Sequence, residues 1–593
     1  MLGVNGIIAS ILFLAFVVAA GGGSSAPSDT QETCDAKSQE SDGGPKIQIK
    51  TREAISLDGI AEAISKSGHL RESVKAICAS TDFKNLCAKS LAEAKNSNDP
   101  KDLVKAAFTV AWENITDAIG KSALLRRAAK DPRTNQALDI CKEVLDHSID
   151  DLKRSFGVVE GSKTINTEHS NDLKVWLSAA ITFENTCLDA FENTTGSTGE
   201  KMKVLLKTSI ELTSNALAMV TQLSELIKTL EIPGFSRRLL DDSKPVNASG
   251  KPVNSTDEEF PQFVDASTRR LLAAPPVKPD IVVAKDGSGK FKTISAALAS
   301  IPPINNKTTI ILVKAGVYAE YVTVPRKMNN IVLMGEDPTK TVITGNKNNI
   351  DGVATYKSAT LTVEGDGFVG RDLTIENKAG AAKHQAVALR VSADMVAIHN
   401  CHIEAFQDTL YTHSYRQFYR DCTISGTIDF IFGDGSAVLQ GCKMVVRKPE
   451  ANQACMVTAQ GRKDRRGVSG IVIQASQIIP DPALKTAQPP VKVFLGRPWK
   501  EFSRTIIMST FIDGIVVPEG WSPWMGTAGL DTCWYAEYQN RGPGASLVKR
   551  VNWKGYKRNI SPEIAKEFTA GVFIELDTWI KRAGIPYASG FMN

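Results

Sequence analysis

Two folds in series are expected from this sequence: an all-α four-helix bundle in the front half and an all-β, right-handed parallel β-helix in the back half, together a multidomain chain. Three observations carry the expectation. Apolar residues between about Leu70 and Ile227 recur at helical spacing, a short motif returns at intervals near twenty after Pro279, and residues 231–272 between them lose both periodicities. A chain of 593 residues with 42% apolar content is too long for one ordinary core and apolar enough for two.

The chain opens on "IIASILFLAFVVAAGGGSSA", an apolar run of about 14 residues ending in small ones, which suits a signal peptide better than a full membrane span. Because "MLGVNG" carries no Lys or Arg, residues 1–23 read as a signal peptide or a signal anchor, and 24–66 as a low-complexity leader. The sequons at Asn114, Asn193, Asn247, Asn254, Asn306 and Asn559 accept glycans only on the secretory route. Ten cysteines without a C-x-x-C pair argue against zinc ribbons and for disulfides in an oxidising compartment.

Residues 67–230 read as a helical hairpin followed by four antiparallel helices. Leu205, Leu212, Met219 and Leu226 recur every seven residues, with Ala216 and Leu223 on the adjoining seam, as in a helix that buries one stripe. Cys78 and Cys87 are close enough in sequence to staple the hairpin, and Cys141 and Cys187 fall on neighbouring helices. The segment resembles the plant inhibitor family that acts on invertases and pectin methylesterases. That resemblance implies pairing in sequence order, Cys78–Cys87 and Cys141–Cys187.

Residues 231–272, rich in Pro, Ser, Asn and acids, read as a linker. It holds two near copies, "SRRLL" and "TRRLL". Arg237 and Arg238, and Arg269 and Arg270, are therefore expected sites for a processing protease. Charge divides across this linker. Residues 1–272 hold 32 Lys+Arg and 37 Asp+Glu, and residues 273–593 hold 38 and 28, giving −5 and +10. The halves are expected to attract one another, and the basic half to hold a polyanion. Nucleic acid is a poor candidate without an arginine-rich tract or a recognisable module, whereas an acidic extracellular polysaccharide fits.

Residues 273–593 consist of short β-branched runs broken by Gly, Asn and Asp. Within them "RDLTI", "HNCHI", "RDCTI", "QGCKM" and "QASQI" are centred on Leu373, Cys401, Cys422, Cys442 and Ser476, at intervals of 28, 21, 20 and 34. Such intervals suit stacked coils; an irregular sandwich, the structural rival, has no reason to repeat the motif.

Asp408 lies seven residues after Cys401, and Asp429 seven after Cys422. Stacked coils put these acids one strand apart, about 4.8 Å. Two carboxyls so close cannot both ionise cheaply, so one is expected to keep its proton while a cation or donors hold the other as an anion. The apolar company of "FQDTLY" and "IDFIFG" is wrong for merely solvated acids. No G-x-S-x-G or H-E-x-x-H occurs, and His384, His399, His402 and His413 read as structural or rim residues. "DGSGKFKT" has Phe291 where a phosphate loop needs Ser or Thr, so it reads as a turn before a helix.

The same half resembles pectin methylesterases of the plant type, whose motifs stand here in order as "GVYAE", "QAVAL", "QDTL", "DFIFG" and "LGRPW". The resemblance implies that Asp429 attacks the ester carbonyl of a methylated galacturonate, and that Asp408 protonates the departing methanol and later activates water. It further implies oxyanion donors at Gln407 and Gln385, Arg497 holding Asp429 ionised, and substrate contacts at Trp499 and Thr355. No metal or organic cofactor is called for, because nucleophile, acid and donors are all side chains. The implied partners are methyl-esterified homogalacturonan, a processing protease and separate inhibitor proteins, for a secreted monomer of the cell wall whose front domain is autoinhibitory until cleaved. Phe406 stands where the family commonly has Tyr, and Ser476 where relatives can have Cys, which leaves Cys401 unpaired and makes Cys422–Cys442 the expected disulfide. Two rivals remain: a polygalacturonase-like glycosidase, which also pairs carboxyls, and a front domain that is itself the working product as an inhibitory module.

Overall fold

Local sequence sets where the long helices begin. Asp131 caps the helix Pro132–Gly161, accepting from the backbone N–H groups of Arg133 and Thr134, and Pro132 occupies a first-turn position where no N–H is needed. Asn166 caps Thr167–Asp189 by accepting from His169 N. The computed structural model describes residues 70–92, 100–162, 166–230 and 278–592. The leader segments and the linker with Arg237, Arg238, Arg269 and Arg270 lie outside the described residues.

A hairpin of helices, Leu70–Cys78 and Lys84–Leu91, precedes four long ones: Pro100–Ala128, Pro132–Gly161, Thr167–Asp189 and Thr198–Leu230. The disulfide Cys78–Cys87 closes the hairpin, and Cys141–Cys187 joins the second and third long helices. Leu212, Ala216 and Met219 of the expected stripe are buried. Thr167–Asp189 departs from a stripe, since every residue from Val175 to Glu184 is buried. One face meets the other helices and the opposite face meets the β half, where Thr182 Oγ1 donates to Asp434 and Trp176 Nε1 to Asp394. The face towards the β half is polar as well as buried, with Ser178, Thr182 and Thr186 each hydrogen-bonded across the boundary.

The back half is a parallel β-helix of three sheets, with 11, 7 and 8 strands. In the 8-stranded sheet Thr374, His402, Thr423, Lys443 and Gln477 pair in succession. The intervals of 28, 21, 20 and 34 are thus coil lengths. Leu, Ile and Val from all three sheets fill the interior. A second apolar cluster runs without a break from the helices onto Tyr356, Val387, Tyr411, Phe432 and Ala459 of the β half, so the described helices and strands form one compact unit. Among the described residues no helix is long and apolar enough to cross a membrane.

The expected Cys422–Cys442 bond is absent: both are buried free thiols, as are Cys401, Cys455 and Cys533. Along this column each side chain donates to the carbonyl two residues back, Cys401 to His399, Cys422 to Arg420, Cys442 to Gln440 and Ser476 to Gln474. The Cys422 and Cys442 thiols lie within side-chain hydrogen-bond reach of one another but are not covalently joined. Burial pushes the Cys442 thiol well up, so it stays protonated. Alkylation in denaturant without reductant is expected to label all five of these cysteines and to spare the two disulfides; a peptide linked through 422 and 442 would contradict the column.

Candidate active site

The site lies on the outer face of the 7-stranded sheet. Its acids precede neighbouring strands, Leu410–Ser414 and Ile431–Gly433, which pair as Leu410 with Ile431 and Tyr411 with Phe432. Asp408 and Asp429 therefore occupy equivalent steps on successive coils. Both have left-handed backbones, φ 63° and 51°, a conformation Asp tolerates better than most residues. Gln385 pairs with Gln407 one coil below.

Arg497, just after the strand Val493–Gly496, reaches back to Asp429 with two hydrogen bonds, Nε to Oδ1 at 2.9 Å and Nη2 to Oδ2 at 2.6 Å. Its guanidinium carbon also lies 4.2 Å from the ring centroid of Trp524. Burial pushes the Asp429 carboxyl up, and the fork from Arg497 opposes that rise. Asp408 lacks such a fork. Burial and then the Asp429 charge drive it well above the carboxylate range, with Glu192 of the front half adding to the rise and Arg497 opposing it. One carboxyl is consequently built to hold a proton and its neighbour to carry the charge.

All seven residues singled out by sequence, Thr355, Gln385, Gln407, Asp408, Asp429, Arg497 and Trp499, line one cavity of about 220 Å³. Gln385 and Gln407 are half-buried there. Trp499 lies over Gly461, where a Cβ would come within 2.7 Å of the indole, so only glycine leaves room for it. Sequence reasoning missed Tyr411 and Phe432, whose rings stack at 4.2 Å in the same cavity. A signal for them existed, because each lies three residues after one of the paired acids. Trp524 carried no such signal. The remaining wall was also missed: Thr186 and Asp189 of the helix Thr167–Asp189, and Glu192 just beyond it, close the cavity from the front half.

His413 is structural, as expected. Its buried ring sits between Ser392 Oγ and Thr186 Oγ1, each at 2.8 Å, and burial holds it well below the usual histidine range, hence neutral.

Known proteins resemble both halves. Residues 280–577 match the family described as Pectinesterase, and residues 72–219 match Plant invertase/pectin methylesterase inhibitor. An Arabidopsis thaliana protein bearing both names, pectinesterase and pectinesterase inhibitor, is 48% identical over 88% of this chain and 70% of its own length. Pectinesterase 3 of Citrus sinensis is 40% identical over 87% of this chain and 88% of its own. The solved structure of pectin methylesterase from carrot is 48% identical and superposes with a TM-score of 0.53, covering 54% of this chain and all of the carrot chain.

Replacing Arg497 by Gln removes the fork and leaves the burial. The Asp429 carboxyl is then expected to take up its proton at higher pH than in the wild type, as read by carboxyl carbon NMR titration; an unmoved titration would mean that Arg497 does not set the charge.

Proposed function

The chain belongs to the pectinesterase family, carries a plant invertase/pectin methylesterase inhibitor domain ahead of its catalytic half, and hydrolyses methyl esters of pectin, and we propose that Asp429 and Asp408 perform that hydrolysis as nucleophile and acid. The observation that carries this assignment is the unequal treatment of two stacked acids, one forked by Arg497 and the other driven up by burial beside it.

An Asp429 oxygen adds to the ester carbonyl carbon, and the oxyanion forms against the side-chain amides of Gln385 and Gln407. Collapse expels methanol as Asp408 gives up its proton. The resulting acyl-enzyme is a mixed anhydride, which water attacks while Asp408, now a carboxylate, accepts the water proton. Asp429 leaves as the anion, and the product is released as galacturonic acid, which gives its remaining proton to solvent. Trp499, Tyr411 and Phe432 offer flat apolar faces to the sugar rings, and Thr355 lines the same wall.

The front domain supports an autoinhibited state, because Thr186, Asp189 and Glu192 fill the wall through which a polymer would enter. Pectin is a polymer of the plant cell wall. We therefore place the enzyme there as a secreted monomer, released from its front domain by a protease acting at Arg237–Arg238 or Arg269–Arg270, and open to separate inhibitor proteins once free.

The β half alone is expected to release methanol from methylated pectin without new reducing ends, and faster than the full chain. Reducing ends would move the acids to glycosidic chemistry. Asp429→Asn should abolish turnover, and Gln407→Ala should lower kcat by about 10²-fold, the value of one oxyanion donor. Activity needs Asp429 ionised and Asp408 protonated, so it should rise with pH through the first titration and fall through the second. In the full chain both carboxyls are raised, chiefly by burial, which sets this window above the ordinary carboxylate range there; removing the front domain takes away part of that burial and Glu192, so the window of the β half should lie lower than that of the full chain.

A further inference from the structure

Ion pairs hold the front domain over the β half, mostly with the acid on the front domain: Asp82, Glu143, Asp150, Asp151, Asp172 and Asp189 face Arg or Lys, whereas Arg154 with Asp366 runs the other way. Between these pairs the front domain covers Asp408 and Asp429 without filling the space before them. About 220 Å³ remains, and the turn 191–194, just past the helix Thr167–Asp189, forms part of its wall through Glu192, Asn193 and Thr194. The turn is firmly held. Thr194 donates to the Phe191 carbonyl from both its N–H, at 3.0 Å, and its Oγ1, at 2.9 Å. Gly199 packs behind it so closely that a Cβ there would come within 2.9 Å of the Phe191 side chain.

Asn193 opens the sequon Asn193-Thr194-Thr195. It lines the cavity and is exposed even with the front domain docked, so it stands on the rim. The other sequons among the described residues are placed differently. Asn114 lies within a helix, where its Nδ2 donates to the Val110 carbonyl at 2.8 Å, and Asn306 and Asn559 are exposed on the β half away from the cavity wall. Of these four, Asn193 alone borders the catalytic cavity. An N-linked glycan is bulky and hydrated. Rooted on this held turn, it sweeps the space around its root, and the opening of the cavity is part of that space.

We propose that Asn193 carries an N-linked glycan that screens the mouth of the catalytic cavity, so that the uncut chain is silenced by sugar as well as by protein. This rests on the secreted, autoinhibited reading and goes beyond it. Attachment joins Asn193 Nδ2 to the anomeric carbon of an oligosaccharide carried on a lipid diphosphate. The bond from that carbon to the diphosphate breaks, the lipid diphosphate leaves, and one amide proton passes to a base of the transferase. Because the root lies on the front domain, the glycan departs with it, and the β half keeps no obstacle. Water and methanol pass such a screen freely, whereas a polymer does not.

The test uses the full chain, secreted from a eukaryotic host as wild type, Thr195→Ala and Thr195→Ser. Thr195 is outside the cavity wall, and Ser keeps the sequon that Ala destroys. Glycopeptide mass spectrometry should find a glycan at Asn193 in the wild type and in Thr195→Ser, and none in Thr195→Ala. Uncut Thr195→Ala should release methanol from methylated pectin about fivefold faster than the other two, the low end of ordinary coupling between sites. The same three chains exported to the periplasm of a bacterial host that attaches no glycans should share one rate; a faster Thr195→Ala there would assign the effect to the side chain and overturn the screen. Equal rates for glycosylated and bare chains would also overturn it. An unmodified Asn193 beside a glycosylated Asn306 or Asn559 would overturn this site alone, and a chain bare at every sequon would overturn the secreted reading with it. A β half no faster than the full chain would remove the autoinhibition on which the screen rests.

Discussion

In-register stacking of the coils is the constraint on which the rest depends. Parallel pairing fixes Leu389, Leu410 and Ile431 opposite one another, and everything at a set offset from them is stacked too. Two residues before the second and third come the acids, and one residue after come Tyr411 and Phe432. A slip of one residue on either coil would turn an acid away from its neighbour and an aromatic ring into the interior. The electrostatic split between the carboxyls is therefore a property of the sheet register before it is a property of either side chain.

Arg497 adds what the stack cannot, namely a difference between two otherwise equivalent positions. Without it both acids sit in the same burial and the same backbone conformation. The fork reaches only one of them, since its two N–H groups match one carboxylate. Similar economy appears where the halves meet. Arg326 is ion-paired to buried Asp151, which also accepts from Tyr415 at 2.5 Å, and Arg416 is shared among Asp172, Asp394 and Glu575. Charges buried at such a boundary are tolerable only when every one has partners, and each of these does.

Much of this was legible in the sequence. The coil lengths followed from five recurrences of one motif, and the acids from their equal offset to Cys401 and Cys422. The opposite net charges anticipated the polarity of the boundary, but not which residues meet. Long-range pairs such as Asp82 with Arg465 and Arg466 join segments nearly four hundred residues apart and leave no periodic trace. Cys422 and Cys442 were misread because spacing alone was weighed: strand separation permits a disulfide, yet the two sit as neighbouring buried thiols, each donating to a backbone carbonyl. The helix Thr167–Asp189 has polar Ser178, Thr182 and Thr186 on its second buried face, and nothing in its period said that this face lies against an active site.

The ionic boundary has a consequence for what a cut in residues 231–277 accomplishes. Severing that segment breaks none of the contacts between the described residues of the two halves; it turns an internal equilibrium into a bimolecular one. What changes is the effective concentration at which the front domain sees the cleft, from that of a tethered domain down to whatever the surroundings allow. In a confined gel the released domain stays near its partner, and the competing polymer must outnumber it. Dilution and local polymer density, as much as the proposed proteolysis, would then decide when catalysis starts.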